Sequence, residues 1–174
     1  MKKREFELAA GRLLALAAMA LTLVASSWAA STETVLHTFT GTLEGGGPDG
    51  DDPTAGLIAD AQGNLYGTTF FGGSGQSGIV FKLTHKPDGS YAESIIYTFP
   101  FSEDGHITGP AASLVFDSAG ILYGTTVGGG NIPVVSDGTV FKLTPTKSGE
   151  WTSTILHSFN CTSANDGCMP YSSL

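Results

Sequence analysis

Positive charge is nearly missing from this chain once its first thirty residues are set aside. Residues 30–174 carry Lys82, Lys86, Lys142 and Lys147 against fourteen carboxylates, a net charge of −10. A nucleic-acid partner calls for a field of the opposite sign, so that class of function is excluded. No window in this part sustains a 3.6-residue apolar period, and no helix of consequence is expected there. The motifs of common catalytic sites are missing too. There is no G-x-S-x-G turn. His85 and His106 stand singly in loops, with no Cys or His at metal-ligand spacing. No nucleophile and base can be paired, so no catalytic, cofactor-binding or metal-ligating residue is assigned.

The other four basic residues lie at the start. Lys2, Lys3, Arg4 and Arg12 precede an apolar run, Leu13–Ala25, and small residues come after it. This is the three-part pattern of a secretory signal peptide. Ser27 and Ala29 fit the small-residue rule for a cut after Ala29, with Ala30 as the alternative. The apolar run has thirteen residues, whereas a spanning helix needs about 20, so no membrane span is expected after cleavage. The absence of cysteine near the cut argues against a lipid anchor. Residues 1–29 are therefore read as a signal peptide, and the chain as secreted: extracellular, at the cell surface or in the periplasm.

Beyond the signal the chain repeats itself. "VLHTF" at 35–39 returns as "IIYTF" at 95–99 and "ILHSF" at 155–159, while "VFKLT" at 80–84 returns at 140–144. "LYGTT" occurs at 65–69 and 122–126, and P-x-x-x-L at 53–57, 110–114 and 170–174. Gly, Pro, Asp and Asn punctuate each copy into four runs, near 55–60, 64–70, 78–84 and 93–99, then near 112–117, 121–127, 138–144 and 152–159. "DAQGN", "DSAG", "KPDGS" and "TKSGE" read as hairpin turns in which Gly supplies positive φ. The inner strands carry apolar neighbours, Leu57 beside Ile58 and Val80 beside Phe81, so both faces of each sheet need cover. Stacking four-stranded units around an axis provides it, which makes the expected fold all-β with β-propeller-like blades. The expected organisation is a signal peptide at 1–29, an outer strand and Gly/Asp-rich loop at 30–52, blade 1 at 53–109, blade 2 at 110–169 and the opening of a third at 170–174.

The recurrent phrases "LYGTT…GG", "GTVFKLT", "LHSF" and D-G-x-x-P-x-x-x-L resemble the Gloeo/Verruco (GloVer) tandem repeat of bacterial exported proteins, over essentially all of 35–174. The resemblance implies an exported, multi-repeat, propeller-like protein, often carried to the surface by a C-terminal sorting segment, and it brings no established catalytic residues. Two complete copies and a started third, against that pattern, give the expectation of a fragment of a larger propeller. The competing expectation is a protomer that self-associates through uncovered blade faces.

Strand alternation places the loops between strands two and three, and the loops between copies, at one end. Those loops carry Asp49, Asp51, Asp52, Asp104, Asp137 and Asp166. They are candidates for a calcium-supported or sugar-binding face, although their spacing matches no EF-hand and Asp-Gly turns alone account for most of them. "GSGQSG" at 73–78 satisfies G-x-G-x-x-G but leads into a strand, where a dinucleotide site needs a helix. His37 and His157 share a strand position that Tyr97 fills in the middle copy, which reads as packing. Cys161 and Cys168, bound for an oxidising compartment, read as a local disulfide in preference to a metal site. The function expected is a noncatalytic surface module, structural or ligand-binding, with a glycan or surface protein as partner. The alternative is a fragment of a propeller-type enzyme, lactonase or lyase, whose site lies in further blades. Acids or histidines on the innermost strand ends would favour that enzyme, and Leu57, Ile58, Ala59, Leu114, Val115 and Phe116 stand there instead.

Overall fold

The computed structural model describes residues 32–41, 46–100, 109–129, 137–163 and 165–174. The signal-peptide assignment at 1–29 lies outside them. Eight strands form in chain order: β1 (Ile58–Ala59), β2 (Leu65–Thr69), β3 (Ile79–His85), β4 (Tyr91–Thr98), β5 (Val115–Phe116), β6 (Leu122–Thr126), β7 (Thr139–Pro145) and β8 (Trp151–Ser158). They make two antiparallel sheets, β1-β2-β3-β4 and β5-β6-β7-β8, one per sequence copy. Among the described residues no helix occurs.

The alternation within "VFKLT" puts Val80 and Phe81 on opposite faces of the first sheet, and both are buried. Val80, Tyr66, Ile58, Ile96 and Tyr97 meet Leu114, Phe116, Leu122, Phe141, Leu143 and Trp151 of the second sheet in one apolar layer. Within it Tyr66 meets Phe116 edge-on at 5.0 Å, and Phe99 meets Phe141 at 5.2 Å. On the other face of the first sheet Ile79, Phe81 and Leu83 cluster with Leu65, Tyr91 and Phe39. Phe39 sits on Phe81 at 5.1 Å, as Phe99 sits on Phe141. The last aromatic of each "TF" phrase thus packs on the central aromatic of the next copy.

The paired threonines of "LYGTT" divide their work. Thr69 Oγ1 donates to the Phe71 carbonyl at 2.8 Å and accepts from the Ile79 N–H at 3.2 Å, which ties the strand end to its own loop. Thr126 repeats the first bond, to the Gly128 carbonyl at 2.6 Å. Thr68 reaches instead into the next copy and donates to the Ala112 carbonyl at 3.4 Å, while Thr125 donates to the Pro170 and Ser172 carbonyls, each at 3.3 Å. The glycine ahead of them is needed for space. A Cβ on Gly67 would lie 2.6 Å from Phe81 Cζ, and one on Gly124 would lie 2.7 Å from Phe141 Cζ.

Three details differ from the expectation. The innermost strands, expected over six residues, keep two each. The segments before Ile58 and Val115 begin with Pro53 and Pro110, which lack an N–H, and the carbonyl of Ala112 bonds a threonine hydroxyl of the preceding copy. Among the described residues of 30–52 the expected outer strand is not formed, since 32–41 join no ladder. Its counterparts at 95 and 155 pair with the "VFKLT" strand before them. Finally, a β-bulge interrupts each outer pairing, at Val80/Phe81 and at Val140/Phe141. It leaves Ile96 and Leu156 as the extra residues and increases the local twist.

Gly67→Ala and Gly124→Ala should each destabilise the fold by about 1–3 kcal/mol, because the methyl must displace a packed phenyl ring. Urea midpoints measure this. Gly89→Ala meets nothing within 4 Å but carries φ +83°, so it should cost only the backbone strain, about 1 kcal/mol.

Candidate functional site

The loops at one end meet as the strand directions require. In the first copy Asp51 and Phe71 exchange backbone hydrogen bonds, at 2.9 and 3.1 Å, and the Gly73 N–H donates to the Gly47 carbonyl at 2.9 Å. In the second, the Met169 N–H donates to the Asp137 carbonyl at 2.7 Å. Each of these loops between copies therefore lies against the strand-two-to-three loop of a neighbouring sheet.

The candidate carboxylates fall into two groups. Asp49 accepts the backbone N–H of Thr40 at 3.1 Å and also its hydroxyl. Burial works to raise the Asp49 pKa, but the Thr40 bonds, with His37 nearby, outweigh it and hold the group below its usual range. Asp51 accepts the N–H of Asp52 at 2.9 Å, and Asp52 lies exposed at φ 58°. At the other end of the chain, Asp166 accepts the His157 ring and the Asn160 N–H, at 3.2 and 3.1 Å. The His157 bond is the main reason its pKa is lowered. Asp137 is 1% exposed; one carboxylate oxygen accepts the Cys161 N–H at 2.7 Å and the other has no partner among the described residues. Asp104 lies outside the described residues. Cys161 and Cys168 form a disulfide with Cα atoms 5.1 Å apart, closing the loop that Asp137 and Asp166 cap. Among the described residues no three His, Cys, Asp or Glu side chains are grouped to hold a metal ion.

A recess lies where the three P-x-x-x-L segments converge. A groove of about 300 Å³ is walled by residues 54–56, 111–113 and 171–173, the same three positions from each copy. Among the described residues no His, Asp, Glu, Lys, Arg or Cys lines it.

The Gloeobacter/Verrucomicrobia repeat model matches residues 22–174. The chain belongs to that family. Comparisons with curated proteins and with solved structures returned no match. Family membership accounts for the duplicated sheets and assigns no chemistry to the acidic loops or the groove.

Two recurring features of this family member escaped the reading of its sequence. Each "LHTF"-type histidine sits beside the aspartate of the D-G-x-x-P loop after it: His37 Nε2 is 3.6 Å from Asp49, and His157 Nε2 is 3.2 Å from Asp166. The rings also pack edge-on against Phe39 and Phe159. The middle copy changes both partners together, with Tyr97 in place of histidine and Pro100, which has no N–H, where Thr40 and Asn160 donate. That joint change was the available signal. The second feature is an acid–tyrosine lock on the first hairpin. Asp60 accepts the N–H groups of Gln62 and Asn64 and the Tyr66 hydroxyl at 3.0 Å, and Asp117 does the same for Ala119, Ile121 and Tyr123. Burial first, and the Asp60 carboxylate second, push the Tyr66 pKa up to about 12. For Asp60, burial is outweighed by the Asn64 and Tyr66 bonds, so its pKa falls.

The two halves of the lock fail at opposite ends of the pH scale. Asp60 has a folded pKa below the unfolded value of about 4, so its contribution is whole above that pH and is lost as pH falls through the lowered folded value. Tyr66 has a raised folded pKa, so its contribution is whole below about pH 10 and disappears as pH rises through about 12. Tyr66→Phe should remove a phenol ionising near pH 12 from an absorbance titration at about 295 nm, and should lower stability at neutral pH by about 1 kcal/mol. An unchanged titration would show that the lock does not form in solution.

Reduction of the Cys161–Cys168 disulfide, or Cys161→Ser, should cost about 2–3 kcal/mol by the loop-entropy estimate. Thermal unfolding with and without reductant reads the loss.

Proposed function

We propose that the two sheets are blades of a propeller-type assembly, and that the chain is an exported, noncatalytic module of the bacterial surface that holds a glycan or a protein. In this reading residues 1–29 leave as a signal peptide, and 53–109 and 110–169 are successive blades. In this reading the groove where three copies meet lies at the propeller's axis, and its described wall of Thr, Ser, Ala, Gly and Tyr is what supports binding over catalysis. The blade reading is supported by contacts that recur from copy to copy, Phe39 on Phe81 as Phe99 on Phe141, and Thr68 to Ala112 as Thr125 to Ser172. A contact repeated with a constant rotation generates a ring when the rotation closes.

Uncovered faces supply the reason to assemble. Leu57 is 47% exposed while its counterpart Leu114, which faces the first sheet, is 2% exposed. Leu156, the counterpart of the half-buried Ile96, is 49% exposed. A further copy of the repeat, on the same or another chain, is the natural cover for both.

Expression of the full sequence in a bacterial host, with the N-terminus of the exported product determined, tests the export. The expected first residue is Ala30, and an intracellular product that keeps Met1–Ala29 would overturn it. Light scattering on that product should give a mass of several chains, reduced toward one chain by Leu156→Asp. A monomer in the unmodified protein would refute assembly through these faces.

A further inference from the structure

We propose that the groove between the three P-x-x-x-L segments binds a neutral saccharide. This rests on the ligand-binding reading above and gives it a place and a ligand class. The groove volume of about 300 Å³ stands at the lower end of the range of about 300–1,000 Å³ for small-molecule sites, which suits one or two sugar rings.

Charge excludes the main competitors. Among the described residues no ionic side chain lines the wall, so a charged ligand would lose its hydration without gaining a counter-charge there. An anion would also approach a chain of net charge −10 in residues 30–174.

The wall is nonetheless polar. It presents the hydroxyls of Thr54, Ser113, Ser172 and Ser173. Its backbone carbonyls are partly engaged, those of Ala112 and Ser172 by the threonines of the copy before. Most of its N–H groups are not. Among the described residues, no protein hydrogen bond is donated by the backbone N–H of Gly56, Ala112, Ser113, Ser172 or Ser173. Gly56, Ser172 and Ser173 are exposed, so these donors are free to exchange water for a ligand's oxygens. Sugar hydroxyls donate and accept at once and match a wall that mixes N–H groups with hydroxyls. Gly56 keeps the recess open, since a Cβ there would come within 3.0 Å of Ser113 Oγ.

Tyr171 completes the site. It is 66% exposed at the groove, while the same position in the other copies holds Thr54 and Ala111. One aromatic ring beside a hydroxyl-lined recess is the pairing a sugar needs, an apolar platform for its C–H face and polar partners for its edge.

Titration calorimetry of the exported full-length chain with maltotriose, cellotriose, diacetylchitobiose and, as a charged counterpart, trigalacturonate tests the assignment. At least one neutral sugar should bind. Tyr171→Ala should weaken it about tenfold or more, and Gly56→Val, which fills the recess at an exposed position, should abolish it. Asp88→Asn, in a hairpin turn away from the groove, should leave affinity unchanged, and circular dichroism should show all variants folded. Binding of trigalacturonate alone, or of none of the four, would overturn the proposal. Neutral-sugar binding that survives both Tyr171→Ala and Gly56→Val but is lost in Asp49→Asn would also overturn it, while leaving the ligand-binding function standing on the loops.

Discussion

A strand that carries Val and Phe side by side has no solvent face to offer. Val80–Phe81 and Val140–Phe141 set the terms for everything around them. The strand's two neighbours satisfy its hydrogen bonds, but only another layer can cover its side chains. The second sheet supplies that layer for Val80, and Phe39 contributes to it for Phe81. Each aromatic also fixes the glycine opposite, because the ring of Phe81 or Phe141 occupies the space a Cβ would need. The Tyr-Gly-Thr-Thr order is the result: tyrosine toward the neighbouring sheet, glycine under the ring, one threonine for the next copy and one for its own loop.

The same constraint explains why equivalent residues differ in environment. Tyr66 and Tyr123 make the same bond to the same turn aspartate, yet Tyr66 is buried against Phe116 and Tyr123 is only half-buried. Leu57 and Leu114 stand at one position of one phrase and are exposed and buried respectively. Sequence identity at a repeat position thus sets what a side chain can contact, and the adjacent copy decides whether it does. Burial in a stacked array belongs to neighbouring units together.

Much of the architecture was legible because the copies check one another. Gly, Pro and Asp punctuation bounded all eight strands, and the absence of a helical period left an all-β reading. The bulges were not legible. "ESIIYTF" reads as an ordinary alternating strand, and nothing in Ile95–Ile96 announces that one of them is extra. The shortness of β1 and β5 escaped for a similar reason, since Leu57–Ile58 has strand character and only the bond from Thr68 to Ala112 shows that these segments serve the contact between copies. The His–Asp pairs required loop conformation, which repeat spacing does not contain: His37 and Asp49 are twelve residues apart, His157 and Asp166 nine.

A binding face can arise only from polar groups that the scaffold leaves unspent. The acidic loops draw attention in the sequence because they hold the charge, but Asp49, Asp51 and Asp166 accept backbone N–H groups that close their own turns. Moving a carboxylate so occupied toward a ligand would cost the turn. In the inner segments the balance is reversed: the side chains are small and plain in sequence, while several backbone donors have no partner among the described residues. Motif searches register side chains and pass over such a place. Its chemistry comes from where three copies of one phrase are brought together, and that arrangement depends on covering Val80 and Phe81.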